Sequence, residues 1–399
     1  MWFEGWWQRE SETAAICSLR ILHVTPTYYP ATHWGGPILS LYGMCNALAT
    51  HDGLDLRVLT SDAAGPKLSQ RIDVPEYPAN YAPGYEVYLC HRLAGASFAP
   101  GMFAAMPRLI RWADIVHVTA VYSPSTIPAL LLCRVLGKPV VWSPRGAFQR
   151  WEGSTRLRLK AVWDAICRSL VVPALTVIHA TSEEEAEATR LAMPHAGIEV
   201  IPNGVDLPGL SESRPWVPEG KLRLLYLGRL HPIKGVENLL RALASIDDKS
   251  ISLKICGTGE SSYVDSLRTL CQALGLQDRA TFVGEIAAHE KIAAFQSADI
   301  CVVPSFSENF GMVVAEALAH AVPVIAARGT PWAAVLEQRC GLWVDNTPAD
   351  LAVAIAAMRR QDLRTMGLRG REWVRRWFGW REISIRMISL YQELVDARG

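Results

Sequence analysis

The feature that most constrains this chain is an alternation that runs twice along it: short apolar runs separated by amphipathic stretches, first from residue 19 and again from about residue 220. Runs at 20–24, 54–60, 115–118, 139–143, 177–180 and 199–201 read as strands in the first half. Runs at 222–227, 252–256, 280–283, 300–303 and 322–325 read as strands in the second. Such alternation implies parallel βα units, and so an α/β class with two doubly wound, Rossmann-like domains. The Pro, Ser and Glu-containing stretch 208–220 separates them, and 399 residues exceed the size at which one core usually stops growing. Two open sheets facing each other set the carboxyl ends of their strands across one shared cleft, where a ligand is expected. Residues 369–397 carry Trp373, Trp377, Trp380, Ile383, Ile388 and Leu394 at roughly helical spacing and read as terminal helices.

Composition narrows the function classes. Half of the chain is hydrophobic and 20% is charged, which suits globular cores and argues against disorder. A formal net charge of +1 supplies no global attraction for nucleic acid, so no nucleic-acid partner is expected. Nine widely spaced cysteines without a Cys-x-x-Cys pair suggest neither a disulfide framework nor a zinc site, and fit a reducing cytosol. Residues 1–9 carry Trp2, Phe3, Trp6 and Trp7, but Glu4 precedes the first base and no signal-length apolar core follows, so export is not expected. The run 130–141 is cut by Arg134 and the turn Gly137-Lys138-Pro139, so a membrane span is not expected either.

The chemistry concentrates in residues 304–325, which read as loop, helix and strand after the run 300–303. A helix starting near Phe310 or Gly311 leaves its free amides facing the cleft, and a glycine at the approach point suits a diphosphate resting on the backbone of Phe310, Gly311 and Met312. Glu308 and Asn309 suit the helix entry, and Glu316 falls about 8 Å further along. The two carboxylates thus bracket the phosphate site, where each can accept hydrogen bonds from hydroxyls, one from a ribose and one from a sugar. A second strand-to-loop segment, 225–235, contains Gly228 and brings Arg229 as a planar fork and Lys234 as a point charge for a leaving diphosphate. A third, Gly35-Gly36-Pro37, opens a helix that can meet the phosphates from the other domain.

Together these segments resemble the retaining GT-B glycosyltransferases of the fourth carbohydrate-enzyme family, the glycosyl transferases group 1. The resemblance covers residues 20–395 and rests on the Glu308/Glu316 pair, Gly228-Arg229-Leu with Lys234-Gly235, Ile201-Pro-Asn-Gly204-Val-Asp206, and Cys256-Gly257-Thr-Gly259. It implies a GT-B architecture with an extension over 1–18, an acceptor-binding domain over 19–207, a nucleotide-sugar domain over 208–380 and a terminal helix over 381–399 crossing back. It implies that Arg229, Lys234 and Glu308 carry catalysis, that Glu316 holds the ribose, that Val283 and Gly284 form the base-binding edge, and that Gly36, Gly228, Asn309, Phe310, Gly311 and Met312 complete the donor site. The implied donor is a UDP- or GDP-linked sugar, with no other cofactor and no metal, and the implied acceptor is a glycan or lipid-linked hydroxyl in surface polysaccharide or glycolipid assembly. The implied reaction is a same-face substitution in which the departing phosphate oxygen helps accept the acceptor proton.

One departure stands out. Relatives commonly carry His-x-His after the fourth strand, where this chain has His117-Val118-Thr119, and Thr119 cannot act as the second histidine. His117 is either a strand-end residue pointing into the core, the simpler reading, or a catalytic group. Arg145 either touches donor phosphate or acceptor, or is a turn cation paired with a neighbouring acid. His23, His179 and His320 read as core residues, and Glu183-Glu184-Glu185 after Thr181-Ser182 reads as a capped, solvated helix start. Gly257-Thr-Gly259 lacks the third glycine of a dinucleotide fingerprint. Arg150, Arg156, Arg158, Lys160 and Arg168 alternate with Trp151, Leu157, Leu159 and Trp163, a face suited either to plain solvation or to peripheral contact with an anionic membrane. An epimerase or hydrolase on the same fold, and a non-catalytic nucleotide-sugar binding protein, are the alternatives to a transferase.

Overall fold

The computed structural model describes residues 18–31, 33, 35–72, 79–82, 84–149, 157–209 and 220–398. The expectations for the tryptophans at 2, 6 and 7, for Arg150, Trp151 and Arg156, and for most of the 208–220 connection fall outside the described residues.

The first domain is an eight-stranded sheet of β1 (Leu19–Val24), β2 (Leu54–Ser61), β3 (Ala79–Ala82), β4 (Tyr85–Cys90), β5 (Ile115–Thr119), β6 (Val140–Ser143), β7 (Thr176–Ala180) and β8 (Gly197–Val200). The order is β3-β4-β2-β1-β5-β6-β7-β8, parallel except for the edge strand β3. The second domain has six parallel strands: β9 (Leu222–Leu227), β10 (Ile251–Cys256), β11 (Ala280–Gly284), β12 (Ile300–Val303), β13 (Val324–Ala327) and β14 (Gly341–Val344). Their order is β11-β10-β9-β12-β13-β14. This is the doubly wound pattern in which the chain returns to the sheet centre and then proceeds outward on the other side. Its switch point lies between β9 and β12, and the corresponding point of the first sheet lies between β1 and β5.

Sequence periodicity located the central strands and missed β3, β4 and β14. β4 (YEVYLC) alternates buried and half-buried positions and so lacks the continuous apolar run by which buried parallel strands are recognised, while β14 (GLWV) is a four-residue, mostly half-buried edge strand opening on glycine, too short to stand out. The run expected at 322–325 is displaced to Val324–Ala327, because Pro323 cannot donate to the ladder. The run expected at 199–201 is likewise displaced, to Gly197–Val200.

Each sheet is covered on both faces. The C-terminal helix Trp380–Asp396 leaves the second domain and packs on the helix Gly36–Leu48 of the first. Ile383, Met387, Ile388 and Tyr391 enter the core formed by Ile21, Leu41, Leu48 and Val141. Each such burial is worth roughly 1.5–3 kcal/mol, so this helix is a strong clamp between the domains. The Trp380 indole lies so close to Gly43 and Gly204 that a Cβ at either would overlap it.

Candidate functional site

The loops after β9 and β12 stand side by side because their strands are neighbours. The Phe306 amide donates to the Ile233 carbonyl at 2.8 Å, stitching one loop to the other. Lys234 ends a short 3-10 turn, Pro232–Lys234, and Gly235 follows at φ 65°, where a side chain would also collide with the Pro304 carbonyl. This tight crossing delivers the Lys234 ammonium to Glu308, with Nζ 2.5 Å from Oε1. Ser305 Oγ donates to the same carboxylate oxygen at 2.7 Å, and the Glu308 amide is held by the Gly329 carbonyl at 2.8 Å.

The helix Met312–Ala319 begins after Gly311, which adopts a left-handed conformation at φ 76°. Its N-terminus has no side-chain cap and no acidic residue in its first turn, so its free amides present partial positive charge. Val314, Ala315, Ala317, Leu318 and Ala319 anchor the helix in the core, leaving Glu316 half-buried on the open side. Lys291, on the helix Ala288–Gln296, pairs with Glu316 at 2.5 Å. Arg229 is exposed at the end of β9 and makes no ion pair with a carboxylate among the described residues. The Gly228 amide donates to the Cys256 carbonyl, and the Leu230 amide to the Thr258 carbonyl. The Cys256-Gly257-Thr-Gly259 segment therefore supports the Arg229 loop. Val283 and Gly284 end β11, with the Val283 side chain exposed.

Two expected donor residues have their side chains elsewhere. Phe310 is buried in an aromatic cluster with Trp332, Trp373 and Phe378, and its carbonyl accepts from the Trp332 indole N–H. Only its backbone remains for a donor. Asn309 turns towards the first domain, where its side chain meets Thr181 and its carbonyl accepts from Ser182 Oγ at 3.1 Å. Gly36 does reach across the cleft, since a Cβ placed on it would stand 3.5 Å from Met312 Cγ.

The first-domain histidines are placed far more definitely than the sequence allowed. His117 is fully buried, with Nδ1 2.6 Å from the Tyr391 hydroxyl and Nε2 2.6 Å from Ser143 Oγ, so neither ring nitrogen is left for substrate. Burial drives its pKa well below the usual imidazole range, reinforced by His23, His179 and Arg145 nearby. His179 Nε2 faces the Ile201 carbonyl at 2.7 Å and must carry the proton. Its Nδ1 then accepts from Ser143, which accepts from His117, which accepts from Tyr391. The Tyr391 oxygen meets His23 Nε2 at 3.3 Å. These bonds fasten the C-terminal helix to the sheet, a positioning duty that the catalytic reading of His117 did not anticipate. Burial lowers His23 and His179 to about 3.

Thr119 is buried with its hydroxyl unpartnered. Arg145 takes a left-handed conformation at φ 56° and donates to Asn203 Oδ1 at 2.6 Å, so its direct partner is an amide and not the neighbouring acid that one of its two readings supplied. Glu185 acts on it only at longer range, and burial pulls the guanidinium below its ordinary value. Glu185, expected on a solvated helix start, is instead buried. Sequence reading missed Lys291, Glu185 and Tyr391 as site or junction residues. A lysine in the run AHEKIAAFQ looks like any solvated helix position, and no local pattern marks its partner.

Residues 34–208 match the family model described as Glycosyltransferase Family 4, and residues 212–368 match the one described as Glycosyl transferases group 1. The chain belongs to this glycosyltransferase family. Among relatives, the D-inositol 3-phosphate glycosyltransferase of Corynebacterium glutamicum is 32% identical over 253 residues, 58% of this chain and 60% of that protein. That of Arthrobacter is 35% identical over 214 residues, 50% of this chain and 51% of that protein. The matched segments thus span about half to three fifths of these relatives' length. Among solved structures, sucrose-phosphate synthase from Thermosynechococcus elongatus superposes with TM-score 0.74 at 22% identity, covering 95% of this chain and 100% of that one. HepE from Anabaena in complex with UDP-glucose gives 0.71 at 20% identity, covering 94% and 99%. These likenesses establish the GT-B architecture of two Rossmann-like domains.

Proposed function

We propose that this chain transfers a sugar, with retention of configuration, from a nucleoside-diphosphate sugar to an acceptor hydroxyl. The observation that carries the reading is a pair of lysine-bound carboxylates, Lys234–Glu308 and Lys291–Glu316, set on either side of an uncapped helix N-terminus beside exposed Arg229. A diphosphate fits between them, with Arg229, Lys234 and the first-turn amides neutralising the charge that develops as the glycosidic oxygen departs. Glu308 holds sugar hydroxyls and Glu316 the ribose, each oriented by its lysine. The departing phosphate oxygen takes the acceptor proton on the same face, and alignment with charge stabilisation supplies the acceleration. The side-chain cations do this work without a metal. UDP is the favoured nucleotide, since the Anabaena neighbour is a UDP-glucose complex.

A glycan or lipid-linked acceptor is part of the same proposal. Leu159, Val162 and Ile166 on the helix Leu157–Leu170 and Leu131 and Val135 on the adjacent helix Thr126–Leu136 are exposed. Arg134, Arg158, Lys160 and Arg168 share these two helices, giving the apolar and cationic mixture that suits an anionic lipid surface. Among the described residues, no helix is long and apolar enough to cross a membrane.

Thermal shift against UDP-, GDP- and ADP-sugars tests the donor reading: one nucleotide class should raise the melting temperature in a concentration-dependent way. No stabilisation by any of them sinks it. Sugar released from donor alone at the full turnover rate would point to a hydrolase, a converted sugar to an epimerase, and binding without turnover to a non-catalytic protein.

A further inference from the structure

The first and second domains meet at a buried polar junction that the donor chemistry leaves unused. Glu185, in the first turn of the helix Glu183–Ala192, is 1% exposed. Its carboxylate accepts from the Gly146 amide at 2.5 Å, the Thr181 amide at 2.7 Å and the Thr181 hydroxyl at 2.8 Å. All of these belong to the first domain. The remaining lone pairs face Asn309 of the second, whose amide, oriented by matching donors to acceptors, sets its nitrogen 2.8 Å and 3.2 Å from the two carboxylate oxygens. The Asn309 oxygen then lies 3.0 Å from the Thr181 hydroxyl. The Asn309 carbonyl accepts from Ser182 Oγ, the side chain that also caps the Glu183–Ala192 helix. Gly146 closes the junction from the other side: at φ 79° it packs so tightly that a Cβ would stand 2.9 Å from Asn309 Cβ.

Asn309 directly follows Glu308 and precedes the helix entry at Gly311, so whatever holds Asn309 sets both. We propose that Glu185 is a positioning residue of the sugar-transfer site, a first-domain carboxylate that grips the donor loop through Asn309 and so registers Glu308 and Gly311 against the facing domain. A buried carboxylate offers only acceptors, and every group turned towards it here is a donor. A glutamine in its place would turn an N–H towards the Gly146 or Thr181 amide, or towards Asn309. The role of the loop rests on the donor reading above; the grip itself does not.

The test is amide hydrogen exchange of the full chain, read without ligand, on wild type, Glu185→Gln and Asn309→Ser. Expected is at least tenfold faster exchange of residues 305–311 in Glu185→Gln, although the substitution lies in the other domain. Asn309→Ser should reciprocally speed exchange of the Gly146 and Thr181 amides, with the strands β9 and β12 unchanged in both. Unaltered exchange across the junction in Asn309→Ser overturns the proposal, and this variant decides the matter if Glu185→Gln does not fold. Calorimetry with UDP separates the two readings: affinity within about threefold of wild type in Glu185→Gln, with kcat reduced, is the positioning signature. Loss of UDP affinity in that variant would make Glu185 a donor-binding group instead and refute positioning. Failure of wild type to bind any of UDP, GDP and ADP would strike the donor reading while leaving the exchange result to judge the junction.

Discussion

Replacing Lys234 by alanine removes one of two side-chain cations assigned to the leaving diphosphate, and it does more than delete a contact. Lys234 Nζ lies 2.5 Å from Glu308 Oε1, with the two side chains 19% and 14% exposed. The variant therefore leaves a largely enclosed carboxylate facing the diphosphate, with Ser305 Oγ its one remaining side-chain donor among the described residues. Two unit charges about 4 Å apart interact by about 4 kcal/mol at an effective dielectric near 20. Deleting a preorganised donor to developing charge typically costs about 2.7–4 kcal/mol. The residual exposure of the pair places the expectation at the lower end, a loss of about 100-fold in kcat/KM. Adding Glu308→Gln to the alanine variant removes the stranded negative charge, so UDP affinity should recover by about tenfold, or roughly 1.4 kcal/mol, over the single variant. Calorimetry with UDP and turnover read by UDP release measure both quantities. A folded Lys234→Ala protein within threefold of wild type in both would refute the placement of Lys234 on the diphosphate. A double variant that binds UDP more weakly than the single one would refute the electrostatic account of Glu308.

The buried histidines make stability pH-dependent. Their folded pKa values, about 3 for His23 and His179 and well lowered for His117, lie below the unfolded value of about 6.5. The unfolded chain therefore takes up protons that the native state refuses, and the stabilisation present above about pH 6.5 is lost as pH falls towards about 3. Each contributes a slope of up to about 1.4 kcal/mol per pH unit, so urea melts at pH 5 and 7 should differ clearly, and less so in His179→Phe. Identical midpoints at the two pH values would contradict neutral burial. For the exposed face, wild type should float with vesicles containing anionic lipid and not with neutral ones, and Leu159→Glu with Val162→Glu should abolish this without changing UDP binding. Equal flotation of wild type and variant would remove that surface from the proposal.

What could be read from the sequence was local. Glu308, Gly311 and Glu316 lie within one loop and one helix, so their spacing already placed two carboxylates around a helix start, and Arg229 and Lys234 followed a strand for the same reason. The ion pairs were not legible. Lys234 meets Glu308 across 74 positions and Lys291 meets Glu316 across 25, and neither separation leaves a periodic trace. His117 was recognisable as a strand residue, but its bond to Tyr391 spans 274 positions and exists only because the last helix returns to the first domain. Glu185 illustrates the limit best. As the third of three consecutive glutamates after a serine it looked like a solvated helix start, but Gly146 and Thr181 of its own domain close on its carboxylate together with Asn309 of the opposite one.

Local sequence located most strands and the helix start after Gly311, because those follow from the apolar period, glycine and proline stereochemistry and the uncapped amides of a single segment, and it missed β3, β4 and β14. Tertiary structure alone decided the partners. Strand order brings the loops after β9 and β12 together, and the packing of one domain on the other turns exposed-looking charges into buried acceptors. Both depend on contacts between distant positions, which no local pattern encodes.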